Sequence, residues 1–125
     1  MTEAELQALV FCGRAGYVDV DGLLSVDCSG QCLVHLYGWR GMHVGPLKTS
    51  HGWRTPTRGD LGDGWPDLML ARPGRLIAAE LKRETGELTE AQLAVLALLR
   101  SAGVETYCWR PSSWDDGTIM RALSS

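Results

Sequence analysis

The stretch Gly62–Lys82, GDGWPDLMLARPGRLIAAELK, decides how the chain is read. Pro66 sets a turn, and Asp67 heads the apolar run Asp67–Ala71. Arg72-Pro73-Gly74 is a second turn, because Pro presets φ and Gly accepts positive φ. Arg75–Lys82 then returns as a strand. Side chains alternate along a strand, so Ala78, Glu80 and Lys82 share one face, with Leu76 deeper on it. Ile77, Ala79 and Leu81 point the other way, into a core. The returning strand is therefore apolar on both faces until Glu80 and Lys82. That pattern suits a covered, central strand whose chemistry sits at its open end.

Downstream, Thr89–Ser101 reads as a helix. Thr89 and Gln92 form a capping box, Leu88 is a staple candidate and Gly103 closes the helix. Val95, Leu96, Leu98 and Leu99 give it a broad apolar arc to pack on a sheet. Val104–Trp109 is the next strand. Pro111 ends it, and Ser113 is expected to cap a last helix carrying Trp114, Ile119, Met120 and Leu123. The order strand, strand, helix, strand, helix predicts a mixed sheet with a right-handed crossover through the Thr89 helix.

Upstream, Thr2 and Glu5 form a capping box for a helix reaching about Cys12, with Leu6, Leu9 and Val10 as its stripe and Gly13 and Gly16 as its end. Tyr17–Val26 is a hairpin around Asp21-Gly22, the favoured pair for a two-residue turn. Asp27–Tyr37 is a second helix with Asp27 as N-cap and Gly38 at its end. Trp39 to about Leu47 is extended, broken by Gly41 and Gly45-Pro46. Lys48–Gly64 is a polar loop too long for a plain connector. The expected fold class is α/β: a three-layer α/β/α core with a central mixed sheet, plus an N-terminal hairpin insertion. One domain spans residues 1–125, with 1–37 as its N-terminal part and 38–123 as its core, because 125 residues are enough for one core and too few for two.

No apolar run approaches the roughly 20 residues that span a bilayer. The start, MTEAELQALV, lacks the basic and apolar regions of a signal peptide. A cytoplasmic protein without membrane contact is expected. The four cysteines, Cys12, Cys28, Cys32 and Cys108, are then reduced. Cys28-x3-Cys32-x2-His35, with Cys12 upstream, departs from zinc-knuckle spacing, so buried thiols are expected rather than zinc. The net charge of -3 is no signature of nucleic-acid binding, but its distribution is uneven. Arg40–Gly59 holds Arg40, His43, Lys48, His51, Arg54 and Arg58 and no acid. Arg40, His43, Lys48, Trp53, Arg54 and Arg58 are candidates for DNA contact, with Trp53 stacking on bases. The plain alternatives are a solvated basic loop, and a Trp53 lid on the core.

Carboxylates on adjoining strands, a lysine beside them and separate cations are what phosphodiester hydrolysis requires. The reaction needs an activated water, a charge clamp on the phosphate and help for the leaving oxygen, and a divalent ion serves all three. Mg²⁺ and Mn²⁺ prefer carboxylate oxygens. Asp67 and Glu80 would bind the ion if the hairpin brings them together, and Lys82 would orient water or stabilise phosphate charge. A salt-bridged strand end is the plain alternative for Glu80-Leu81-Lys82.

Together, Gly64-Trp65-Pro66-Asp67, Glu80-Leu81-Lys82 and Leu88-Thr89-Glu90-Ala91-Gln92 resemble the PD-(D/E)xK nucleases. The VRR-NUC (virus-type replication-repair nuclease) branch, common in phages, is the closer likeness, and Ala102–Pro111 also resembles it. The likeness covers roughly 38–123. It implies a restriction-endonuclease-like fold in a bacterial or phage-infected cell, with metal-dependent DNA cleavage using Mg²⁺ or Mn²⁺. It implies Asp67, Glu80 and the Leu81 carbonyl as metal ligands, Lys82 as catalytic lysine and an active-site role for Gln92. Gln92 has a competing local explanation as a cap. The family usually adds a glutamate from its first helix, for which Glu5 or Glu3 would stand, and Glu5 too is explained by a cap. Gly38-Trp39 and His43 match a Gly-Trp and a strand histidine. The Val10–Leu33 insertion departs from the family and puts the helix glutamate in doubt, with Asp60 and Asp63 as nearby substitutes.

Structure-specific cutting of a junction, flap or repair intermediate is the favoured expectation, and a symmetric junction calls for a homodimer. A sequence-specific or homing-type nuclease is the alternative, and a non-catalytic nucleic-acid-binding module is the alternative of another class.

Overall fold

The computed structural model describes residues 1–12, 17–18, 24–25, 32–44, 47–49, 52–54 and 59–125. Helix α1 is Glu3–Val10, followed by short strands β1 (Tyr17–Val18) and β2 (Leu24–Ser25), helix α2 (Leu33–Leu36), and strands β3 (Arg40–His43), β4 (Leu47–Thr49) and β5 (Gly52–Arg54). A single 3-10 turn, Gly62–Gly64, precedes β6 (Leu68–Arg72) and β7 (Arg75–Leu81). Helix α3 (Glu90–Ser101), strand β8 (Glu105–Trp109) and helices α4 (Pro111–Asp115) and α5 (Thr118–Ser124) complete the chain. The fold is mixed α/β around a four-stranded mixed sheet in the order β3-β6-β7-β8. The first two pairings are antiparallel and β7 runs parallel to β8, with α3 as the connection between them. Among the described residues, no helix is long and apolar enough to cross a membrane.

Register follows from the central hairpin. Arg72 pairs with Arg75 across Pro73-Gly74, and Gly74 takes φ +81°, a conformation that favours glycine. Leu68, Leu70, Ile77, Ala79, Leu81 and Trp109 line one face and form the main core with Leu6 and Val10 of α1, Leu33 and Val34 of α2, and Ile119 and Leu123 of α5. The opposite face is thinner. Ala78 is buried there, and α3 covers it with Val95 and Leu96. Arg100 of α3 donates from Nε to Thr106 Oγ1 of β8 at 2.8 Å, tying helix to sheet on that side.

Trp39 is fully buried, and its indole N–H donates to Leu123 O at 2.8 Å. The Arg72 and Arg75 guanidiniums lie 4.6 and 4.9 Å from its ring centroid. Arg75 also pairs with Glu105 through two 2.8 Å hydrogen bonds. These two arginines therefore serve packing at the hairpin end of the sheet.

Several local expectations are corrected. Leu76 is 42% and Leu98 55% exposed, because the thin face is covered only where α3 crosses it. Leu9 is likewise exposed, leaving Leu6 and Val10 as the buried stripe of α1. Phe11, with extended backbone, ends α1 before any glycine. Asp27 lies outside the described residues, and α2 starts later, since Cys32 at its N-cap is extended. Gly38, at φ +80°, does follow α2 as read. Tyr17 pairs with Ser25 and Val18 with Leu24, one residue out of register for a two-residue turn at Asp21-Gly22, a pair outside the described residues. Part of the Lys48–Gly64 loop is a hairpin, with Lys48 opposite Trp53 and Leu47 opposite Arg54. Pro111 opens a helix rather than only ending a strand, because a first-turn N–H is unpaired anyway. Ser113 sits one turn in, accepting the Arg110 N–H at 3.1 Å, and Gly117 separates α4 from α5.

Candidate active site

The β6–β7 register pairs Leu68 with Ala79. One step further along the same ladder, Asp67 falls opposite Glu80. Directly opposed residues on antiparallel strands project to one face, so the two carboxylates start side by side. Asp67 Oδ2 accepts the Leu81 backbone N–H at 2.8 Å, which holds the carboxylate against the end of β7. The N–H and C=O of one strand residue point to the same side, so the Leu81 carbonyl also faces Asp67. The Lys82 N–H turns the other way, to Trp109 O at 3.0 Å.

Glu80 is only 2% exposed. Its Oε1 accepts from Gln92 Nε2 at 3.1 Å, while its Oε2 is buried with no hydrogen-bond partner among the described residues. A buried acceptor left unpaired costs about 1–3 kcal/mol, more if charged. Burial, then the neighbouring Asp67 carboxylate, push the Glu80 carboxyl up to about 8, with Glu3 adding and Lys82 opposing. Two remedies exist for such an oxygen: a proton, or a cation between the carboxylates. The donor set of Asp67, Glu80 and the Leu81 carbonyl is all oxygen, which fits a hard divalent ion such as Mg²⁺ or Mn²⁺.

Gln92 serves as cap and site residue at once. Its Oε1 accepts the Thr89 N–H at 2.9 Å, and its own N–H reaches Thr89 Oγ1 at 3.1 Å. The cap thus fixes which end of the amide faces Glu80. Helix α3 is in turn seated by a close approach at Gly64. A Cβ there would lie 2.1 Å from Ala91 O and 2.8 Å from Val95 Cγ2. Only glycine lets the turn leading to Pro66-Asp67 lie against the start of α3.

Lys82 is half-buried just beyond β7, close enough to oppose the shift on Glu80. The loop after it is held by Arg110, whose Nη1 donates to Arg83 O at 2.9 Å, Glu84 O at 3.3 Å and Gly86 O. Glu84 Oε2 accepts the Ser112 N–H at 3.0 Å, so both sides of this loop are anchored to the start of α4. Sequence reading missed Arg110. It also missed Cys108, which pairs with Glu80 in the parallel ladder and borders the carboxylates. Burial pushes the Cys108 thiol up, with Glu80 and Asp67 adding and Arg110 and Lys82 opposing. Neither residue carries a local signal, since both reach the site through the β7–β8 pairing.

The other candidate residues are less closely placed. Glu5 Oε2 accepts the Thr2 N–H at 3.1 Å and is committed to its cap. Glu3 is the α1 acid whose charge acts on Glu80. Asp60 and Asp63 are exposed. Exposed His43 pairs with Leu68, a core-face residue, so it starts from the face opposite the carboxylates. Exposed Arg40 pairs with Ala71, four positions along β6 from Asp67, about 13 Å at strand rise. The side chains of Lys48, Trp53 and Arg54, and all of Arg58, lie outside the described residues.

No protein-family model, no curated protein and no solved structure matches the chain.

Proposed function

We propose that this chain is a divalent-metal-dependent DNA endonuclease with a restriction-endonuclease-like core of the PD-(D/E)xK kind. The observation that carries the reading is the Asp67–Glu80 pair, with a buried Glu80 Oε2 that has no hydrogen-bond partner among the described residues. Mg²⁺ or Mn²⁺, when bound, would supply a more acidic water and neutralise charge on the scissile phosphate. Asp67, Glu80 and the Leu81 carbonyl would hold it. The Leu81 N–H keeps Asp67 from rotating away, and Gln92 keeps Glu80 from doing so. Lys82 presents an ammonium on the Glu80 side, where it orients the attacking water or stabilises charge on the phosphate. Arg110, a positioning residue, steadies the loop that follows Lys82. Cuts in branched DNA intermediates by a homodimer are the specific form proposed, with the β4–β5 ribbon and its Lys48–Trp53 pair as a DNA-contacting element.

The test is cleavage of supercoiled plasmid, branched DNA and single-stranded DNA with and without Mg²⁺ or Mn²⁺. Cutting that requires the ion, and that Asp67→Ala and Lys82→Ala abolish without unfolding, is expected. No cutting of any substrate with either ion overturns the nuclease reading and favours a binding module. A variant that cuts like wild type overturns the assignment of that residue.

A further inference from the structure

We propose a second metal site of different chemistry: a Zn²⁺ ion held by Cys12, Cys32 and His35, away from the carboxylates. The three donor atoms all lie within 4.8 Å of one another. Cys12 Sγ is 3.5 Å and Cys32 Sγ 3.4 Å from the same atom, His35 Nδ1. A cation uses all three lone pairs together. Geometry agrees: Zn–S of about 2.3 Å and Zn–N of about 2.05 Å at a tetrahedral angle put sulfur and nitrogen about 3.6 Å apart.

The donors come from different elements, so their meeting needs tertiary structure. Cys12 follows the end of α1, Cys32 is the N-cap of α2, and His35 lies one turn into α2. Cys32 is buried and Cys12 and His35 are half-buried, packed beside the buried Phe11, Leu33 and Val34, with the Phe11 ring meeting His35 edge-on at 5.5 Å. Two thiolates and an imidazole select a borderline-soft ion such as Zn²⁺ over Mg²⁺ or Mn²⁺. The ion would clip α1 to α2 and close the base of the segment between them, which contains the β1–β2 pair. Its role is structural, and it holds whether or not the nuclease reading does. Sequence spacing argued against zinc on Cys12, Cys28, Cys32 and His35; the proximity of Cys12, Cys32 and His35 in the fold is what reverses that expectation, while Cys28 lies outside the described residues.

The experiment is metal analysis of the full chain, equilibrated with equimolar Zn²⁺ and then gel-filtered without chelator. Wild type is expected to retain about one Zn²⁺ per chain. Cys12→Ser, Cys32→Ser and His35→Ala should lower retention about tenfold or more. His35→Cys, which keeps a ligand there, should restore it. Asp67→Asn should leave it unchanged, separating this site from the carboxylates. Co²⁺ in place of Zn²⁺ should give thiolate charge-transfer absorption. The proposal is overturned if wild type retains no Zn²⁺, if His35→Ala retains as much as wild type, if Co²⁺ gives no thiolate absorption, or if mass analysis finds Cys12 and Cys32 joined as a disulfide.

Discussion

Replacing Glu80 by glutamine should change how stability depends on pH more than it changes stability at acid pH. In the folded chain the Glu80 carboxyl titrates at about 8, against an ordinary 4.5. Between those values the folded state keeps a proton that the unfolded chain has lost, so stability falls as pH rises. The stabilisation is fully present below 4.5 and gone above about 8. At 1.36 kcal/mol per pKa unit the interval is worth about 5 kcal/mol. That is a large share of the 5–15 kcal/mol typical of a domain. The assay is urea denaturation of wild type and Glu80→Gln at several pH values between 4.5 and 8.5, in buffer freed of Mg²⁺ and Mn²⁺. The difference between the two proteins isolates this group from the three histidines. It should move by about 1.4 kcal/mol per pH unit in mid-range, wild type losing ground as pH rises. Added Mg²⁺ or Mn²⁺ should restore wild type most at pH 8 and above, and leave Glu80→Gln nearly unaffected. A difference that stays flat would refute the reasoning, since Glu80 would then ionise as an ordinary carboxyl.

Three further outcomes are expected. Gly64→Ala meets backbone at Ala91 O, so it should destabilise by about 3 kcal/mol or more in urea denaturation and lower cleavage at temperatures where the protein is still folded. Gln92→Glu keeps the capping oxygen but removes the donor to Glu80 and adds a like charge; the Glu80 titration, read from the pH dependence of stability, should move further up, and cleavage should fall. Thr89→Ala should cost about 1 kcal/mol of stability by thermal or urea unfolding, as for a lost N-cap.

Legibility from sequence was uneven for physical reasons. The two strands around Pro73-Gly74 could be read, but a turn read as Arg72-Pro73-Gly74 left the Asp67–Glu80 pairing open; the observed Arg72–Arg75 pair shortens the turn to two residues and sets that register. The capping boxes at Thr2 and Thr89 are local and were equally readable. Local pattern could not decide whether Gln92 was a cap or a site residue, because the answer depends on where α3 sits over β7. Cys108 and Arg110 reach the site only through the parallel pairing of β7 with β8, which no short-range pattern encodes. Cys12 and His35 meet across the packing of α1 on α2. The apolar arc of α3 was overread: helical periodicity identifies a face, but the width of the sheet beneath decides how much of it is covered. Leu98 lies beyond that width.

The double use of the Gln92 amide ties local melting to loss of competence. If the first turn of α3 frays, the amide loses the Thr89 N–H that orients it, and Glu80 loses the donor that Gln92 supplies in the same event. Warming should therefore disarm the carboxylate pair before the sheet itself gives way. An activity curve that bends below the melting temperature, and straightens when that first turn is made more robust, would be the signature of a helix end acting as a thermal fuse.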